Sequence, residues 1–226
     1  MPSLTGSAPD DTVSTCTADP ATGGFLRPAP PSPGADQMFA ADVDRHGYVT
    51  TPIRLWAHVP AADTAVRTLL DTLAGAGGLT QRQCAIIGTT TAAARADASG
   101  SLAWGTRLAR HVGPHVAGEV LRGIDDHLDE PDAALARWAR RVVATPNGTS
   151  GPDVDELRQA GFGDTAIFAV TAFAALRMAF STVNSALGGR PDAAIAQFAP
   201  HPVRNAVTYG RTPDIDPPRS TRVPGV

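Results

Sequence analysis

The 226-residue chain contains no lysine, so all 19 of its basic residues are arginine. This absence excludes catalysis through a lysine Schiff base or a lysine general base. The abundance of alanine, glycine and proline beside arginine is typical of a GC-rich genome and indicates an actinobacterial source. The net charge is −3 and no block of basic residues occurs, which argues against binding to nucleic acid.

Cysteine is almost as scarce, with Cys16 and Cys84 far apart in the chain. The sequence therefore predicts neither a disulfide framework nor a thioredoxin-like site. Cys84 lies in the apolar run Ala85-Ile86-Ile87 and is interpreted as a small buried residue rather than a nucleophile.

Motifs for metals and cofactors are also missing. The chain has no HExxH, P-loop or GxGxxG motif. His111 and His115 have the spacing of two ligands on one helix face, but Gly113-Pro114 between them breaks the helix. We predict neither a metal nor a cofactor.

No apolar run is long enough to cross a bilayer. The longest, Ala166 to Leu176, is followed by Arg177, and the first residues do not have the pattern of a signal peptide. We expect a cytoplasmic protein without a membrane partner.

Composition divides the chain into three parts. Residues 1–36 and 211–226 are rich in proline and polar residues and are predicted to be flexible tails. Residues 37–210 are predicted to form one folded domain.

Within this domain the apolar spacing is helical and strand patterns are nearly absent, which predicts an all-α fold. Thr80 with Gln83 forms a capping-box signature, and Ser99 or Ser101 is predicted to cap the following helix. The longest predicted helix, about 165–187, is apolar nearly all round and is expected to be central in a compact bundle.

Two groups of polar residues are candidates for a site. Arg177, Ser181 and Asn184 share one face of the long helix, as a ligand-binding wall or as an internal hydrogen-bond network. The segment 96–105 holds Asp97 and Trp104; Asp97 is either an acid–base group or a helix cap.

Several segments together resemble the carboxymuconolactone decarboxylase / alkylhydroperoxidase family over roughly residues 38–210. The segments, in chain order, are Tyr48-Val49, Arg54-Leu55-Trp56-Ala57-His58, Leu79-Thr80, Ser101-Leu102-Ala103-Trp104-Gly105 and Arg177 to Gly188. The resemblance implies a compact helical bundle that assembles as a homotrimer or homohexamer, with pockets between helices.

In the hydroperoxidase branch of that family, a Cys-x-x-Cys pair and a following histidine act with a glutamate on the preceding helix. The resemblance places Asp97 and Gly100 at the two cysteines, Trp104 at the histidine and the region of Ala85 at the glutamate. No cysteine follows position 84, so thiol peroxidase chemistry at this site is excluded.

The decarboxylase branch moves protons with a histidine and carboxylates, which suggests acid–base chemistry on a small organic acid, in catabolism or secondary metabolism. Its predicted catalytic residues are Asp97, Ser101 and His58. The predicted substrate-binding residues are Trp104, Arg107, Arg177, Ser181 and Asn184. Two alternatives stay open: a hydroperoxidase that uses Cys84, and a non-catalytic binding protein whose pocket is plugged by Trp104 or Phe180.

Overall fold

Residues 24–214 are described by a computed structural model, and the regular elements in this range are eleven α-helices and one 3₁₀ helix, Pro146–Gly148. The predicted all-α class is confirmed. The helices are α1 (Pro33–His46), α2 (Thr51–Trp56), α3 (Pro60–Ala76), α4 (Gln81–Ala94), α5 (Ala98–Val112), α6 (Pro114–Leu121), α7 (Glu130–Ala144), α8 (Gly151–Gln159), α9 (Asp164–Ala186), α10 (Ala193–Phe198) and α11 (His201–Ala206).

Local signals set most of the helix boundaries. The capping box at the start of α4 is confirmed, because Thr80 accepts from the backbone N–H of Gln83 and the Gln83 side chain accepts from that of Thr80. Gly113, with φ at 85°, separates α5 from α6.

The start of α5 corrects the sequence analysis. The cap is Asp97, which accepts a hydrogen bond from the Gly100 backbone N–H, whereas Ser99 and Ser101 lie inside the helix. The reason is the turn before it: Ala96 has φ of 51°, so the chain reverses one residue ahead of Asp97.

Helix α4 lies at the centre of the bundle. It packs against α5, α6, α7 and α9. Its fully buried residues are Ala85, Ile86, Ile87, Thr89, Thr90 and Thr91. Because α4 packs against both α5 and α9, it positions the start of α5 beside the middle of α9.

Helix α9 is the longest helix and packs against α3, α4 and α7. By length and composition this helix could cross a membrane, contrary to the expectation that no apolar run is long enough; in this structure it packs against three other helices. One side remains exposed, with Phe168 70% and Val183 38% accessible. The cytoplasmic location stays a prediction.

The folded part extends past the domain limits expected from composition. Helix α1 begins at Pro33, and residues 207–214 follow α11. The rest of the two predicted tails, residues 1–23 and 215–226, lies outside the described residues.

Two buried aspartates hold the start of α2. Asp42 accepts from the Thr50 backbone N–H at 2.6 Å, and Asp192 accepts from the N–H and the hydroxyl of Thr51 at 3.0 and 2.9 Å. Burial, with the charge of Asp214, raises the pKa of Asp192 to about 6, although the bonds from Thr51 oppose the shift.

We expect Asp192 to make the folded state less stable as pH rises from about 4 to 6. The carboxyl group holds its proton more tightly in the folded chain than in the unfolded one, so this contribution is largest in acid and decreases by about 3 kcal/mol over that interval. Asp192→Asn, which keeps an amide oxygen for Thr51, should remove this slope and raise the Tm at pH 7. Thermal melts of wild type, this variant and the exposed control Asp44→Asn measure it; parallel pH profiles for all three would contradict it.

The homotrimer or homohexamer implied by the family resemblance stays a prediction, and the exposed side of α9 is where we expect the contact. A ring 70% exposed on a packed helix is stabilised when another subunit covers it. Phe168→Glu should therefore lower the mass measured by light scattering, whereas Thr72→Glu, at an exposed polar position on α3, should not. A monomeric wild type would refute the prediction.

Candidate functional site

The carboxylate of Asp97 is the centre of the candidate site. It is 7% exposed, and its Oδ1 accepts from the Gly100 backbone N–H at 2.9 Å. A Cβ atom at Gly100 would lie 2.5 Å from Asp97 Oδ2, so a side chain there would displace the carboxylate. Asp97 and Gly100, which the sequence resemblance places at the cysteine pair, therefore fit each other.

Helix α9 supplies the second contact of this carboxylate. Ser181 donates its hydroxyl to Asp97 Oδ2 at 2.7 Å, and both residues are buried. Arg177, one turn earlier, lies close enough for the Asp97 charge to act on it. The predicted polar face of α9 thus turns toward the start of α5.

Asn184, the third residue of that face, binds elsewhere. Its Oδ1 accepts from Trp56 Nε1 at 3.0 Å, which ties α9 to α2. The Trp56 ring is also stacked on Phe180, with centroids 4.3 Å apart and an interplanar angle of 7°. Asn184 therefore orients an aromatic residue and does not contact Asp97.

Trp104 is half-buried and is flanked by two arginines. The guanidinium carbons of Arg107 and Arg177 lie 4.4 and 4.6 Å from its ring centroid. The indole lies directly against the backbone of α4, where a Cβ at Gly88 would be 2.4 Å from Trp104 Cδ2. The predicted binding residues Trp104, Arg107 and Arg177 are therefore brought together.

Three residues of this cluster were not predicted as site residues. Phe180 lies 5.1 Å from the guanidinium carbon of Arg177 and 5.8 Å from that of Arg67 on α3, and Trp56 covers the Phe180 ring. The spacing of Phe180, three residues after Arg177, was a usable signal. Nothing local to Trp56 or Arg67 indicates the contact.

Ser101 is fully buried, and its Oγ lies 3.0 Å from the hydroxyl of Tyr209. Burial and the Asp97 charge raise the pKa of Tyr209, and the Ser101 hydrogen bond opposes this. Tyr209 therefore stays protonated at neutral pH, a hydroxyl beside a carboxylate. It comes from the segment after α11, where composition alone offers no signal.

His58 does not join this group. Its Nε2 lies 3.2 Å from the carbonyl oxygen of Arg27 in an exposed position. Within residues 24–214, no group of three or more His, Cys, Asp or Glu residues is arranged to hold a metal ion.

Burial and the charges of neighbouring arginines lower the pKa values of Arg177 and Arg107. Burial lowers the pKa of Arg177 to about 10; the Asp97 carboxylate opposes the shift, and the charges of Arg107 and Arg67 add to it. Arg177 remains protonated at pH 7, since its pKa is still well above that value. The site is thus one carboxylate beside several closely spaced cations.

A cavity of about 220 Å³ borders the Asp97 side of the site. Its wall includes Asp97, Ser99, Ser185 and two arginines, Arg95 and Arg211. Of the sequence-predicted site residues, Asp97 lines it, whereas Trp104 and Arg177 pack against each other. A small molecule in this cavity would therefore lie beside Asp97.

The free thiol of Cys84 is half-buried on α4. Burial raises its pKa, as does the charge of Asp71. This disfavours the thiolate that peroxide chemistry needs. Cys16 lies outside the described residues.

No protein-family model and no curated protein matches this sequence. Solved structures do match. An uncharacterized peroxidase-related protein from Ralstonia eutropha JMP134 with an alkylhydroperoxidase AhpD core is 23% identical, with a TM-score of 0.65 over 75% of this chain and 93% of that one. A peroxidase-related protein from Silicibacter sp. TM1040 is 18% identical, with a TM-score of 0.69 over 80% and 97% of the two chains.

A third similar structure is a cysteine-to-alanine variant of the debrominase Bmp8 in complex with 2,3,4-tribromopyrrole, 16% identical with a TM-score of 0.64 over 80% of this chain and 95% of that one. These structures show that the chain has the AhpD-like fold, as the sequence resemblance predicted. At these identities they carry no assignment of activity.

We expect Gly88→Ala to move the Trp104 ring, because the added Cβ would overlap it. Overpacking of this kind costs about 1–3 kcal/mol. The matched control is Gly75→Ala on α3, where no atom lies within 4 Å of the new Cβ and the change should be neutral or stabilising. Denaturant unfolding and tryptophan fluorescence measure both effects; equal stability of the two variants would contradict the prediction.

Proposed function

We propose that this protein is an enzyme that transfers protons on a small organic acid, with Asp97 as the acid–base group. Decarboxylation, lactone isomerisation and cyclisation are the reaction types that the family resemblance suggests. The proposal uses no thiol, because Gly100 cannot be oxidised and the pKa of Cys84 is raised.

The position of the Asp97 carboxylate carries this proposal. It is oriented by two hydrogen bonds, one to each oxygen, and it borders a cavity. A carboxylate has about four lone-pair sites, so two remain for a substrate proton. A buried, oriented base beside an open space is what proton abstraction requires.

Neighbouring residues supply what the reaction would need besides a base. The Ser101 and Tyr209 hydroxyls are hydrogen-bond donors close to Asp97. We propose that Arg95 and Arg211 in the cavity wall attract the substrate's negative charge. Arg177 and Arg107, which lie over Trp104 outside that wall, form a second cationic side of the Asp97 site. His58 has no part in this proposal, because its ring is engaged by the Arg27 carbonyl.

One observation favours a second candidate, a non-catalytic protein on an enzyme scaffold. The Trp104 ring occupies the space against Gly88, between two helices of the bundle. This candidate predicts that the protein neither converts nor binds small organic acids.

We expect Asp97→Asn to lower kcat at least 100-fold, because loss of a positioned acid–base group typically costs 10²–10⁴ in rate. The assay is NMR detection of conversion of carboxymuconolactone and related small lactone acids. The amide keeps an oxygen for the Gly100 N–H, so helix α5 should keep its cap.

Asp129→Asn is the matched control, since Asp129 caps α7 in the same way and does not line the cavity. Cys84→Ser should leave turnover unchanged. Full activity in Asp97→Asn would refute the role of Asp97. Loss of activity in Cys84→Ser would favour the thiol route. An inactive wild-type protein would favour the non-catalytic alternative.

A further inference from the structure

Arginine side chains from three helices meet around two aromatic rings. Arg107 on α5 and Arg177 on α9 both lie over the Trp104 ring, and Arg177 shares the Phe180 ring with Arg67 on α3. The guanidinium carbons of Arg107 and Arg177 are separated by at most the sum of their distances to the Trp104 centroid, about 9 Å. We call Arg67, Arg107 and Arg177 the arginine row.

The row carries more positive charge than the protein around it neutralises. Arg67 is paired with Asp63 at 2.6 Å, and Asp97 acts on Arg177. In the described part of the chain, neither Arg107 nor Arg177 has a carboxylate within 4 Å, and Arg45 and Arg110 add further repulsion at Arg107. The three arginines of the row are thus acted on by two aspartates, Asp63 and Asp97, in a protein whose overall charge is −3.

One donor in the row lacks a partner altogether. The Nε of Arg177 is buried and makes no hydrogen bond, although a buried charged donor of this kind costs free energy when it is left unpaired. An anionic ligand would supply both the missing counter-charge and an acceptor for this N–H.

We propose that the arginine row binds a phosphate group carried on a flat organic molecule. The inference rests on the proposed function in treating this cluster as the ligand-binding side of the Asp97 site. It adds the chemical class of the ligand's charged group.

Charge and geometry favour phosphate over a single carboxylate. A phosphate monoester carries about −1.5 to −2 charges at pH 7 and has three strong acceptor oxygens. A carboxylate has one charge and two oxygens, which one guanidinium fork satisfies. Three guanidiniums on α3, α5 and α9 suit phosphate better, because its three oxygens accept hydrogen bonds from several directions. The half-buried Trp104 ring offers apolar surface to a flat ligand body, whereas the Phe180 ring is buried under Trp56.

The test compares phenyl phosphate with benzoate, two flat probes that differ in the charged group, by isothermal titration calorimetry at one ionic strength. We expect phenyl phosphate to bind at least 10-fold more tightly than benzoate, and inorganic phosphate to bind more weakly than phenyl phosphate. Arg107→Gln should weaken phenyl phosphate at least 10-fold. Arg158→Gln, an exposed arginine on α8 paired with Asp155 and Asp164, should not change it.

Asp97→Asn separates this inference from the proposed function. It should retain or tighten phenyl phosphate binding, because it removes a negative charge near Arg177, while it abolishes turnover. Benzoate binding as tightly as phenyl phosphate, no saturable binding of phenyl phosphate, or equal effects of Arg107→Gln and Arg158→Gln would each overturn the inference. Asp97-dependent turnover of an organic acid would then still support the proposed function.

Discussion

The hydrogen bonds of the Asp97 carboxylate join the start of α5 to the middle of α9, and the rest of the candidate site is arranged around them. Gly100 donates from the first turn of α5 and Ser181 donates from α9, so one side chain fixes two helices that are distant in sequence. The left-handed conformation of Ala96 and the missing side chain at Gly100 both serve this contact. A side chain at Gly100 would move the carboxylate.

This contact also explains how several arginines lie so close to one another. Ser181 and Arg177 are on the same face of α9, so the bond that orients Ser181 brings Arg177 beside Trp104 and Arg107. Guanidinium groups are planar and weakly hydrated, and they stack on rings at modest cost. A chain whose basic residues are all arginine can therefore build a partly buried cluster that lysines would not form.

The chain has the AhpD-like fold but lacks the cysteine pair that the sequence resemblance implies for the start of α5. Where the resemblance places two cysteines and a histidine, the chain has a capping carboxylate, a glycine required by close approach and an indole packed against Gly88. These residues fit one another at the start of α5. In the described part of the chain, burial raises the pKa of the Cys84 thiol, which does not favour a thiolate there.

By itself the sequence determined the all-α class, the capping box of α4, the break at Gly113-Pro114 and the common face of Arg177, Ser181 and Asn184. These depend on backbone preferences and helical periodicity, which are local. It also pointed to Asp97 and Trp104, through a resemblance in the order of segments. It assigned the α5 cap to the wrong residues, because serine and aspartate compete for that role and the turn at Ala96 decides between them.

The tertiary structure alone decided which residues meet. Phe180 with Arg67, Trp56 with Asn184, and Tyr209 with Ser101 are pairs between elements far apart in the chain. Helix packing, and not spacing, brings them together. The same packing left His58 at the Arg27 carbonyl, away from Asp97. Contacts of this kind depend on the volumes and angles of the whole bundle, which no local pattern of residues encodes.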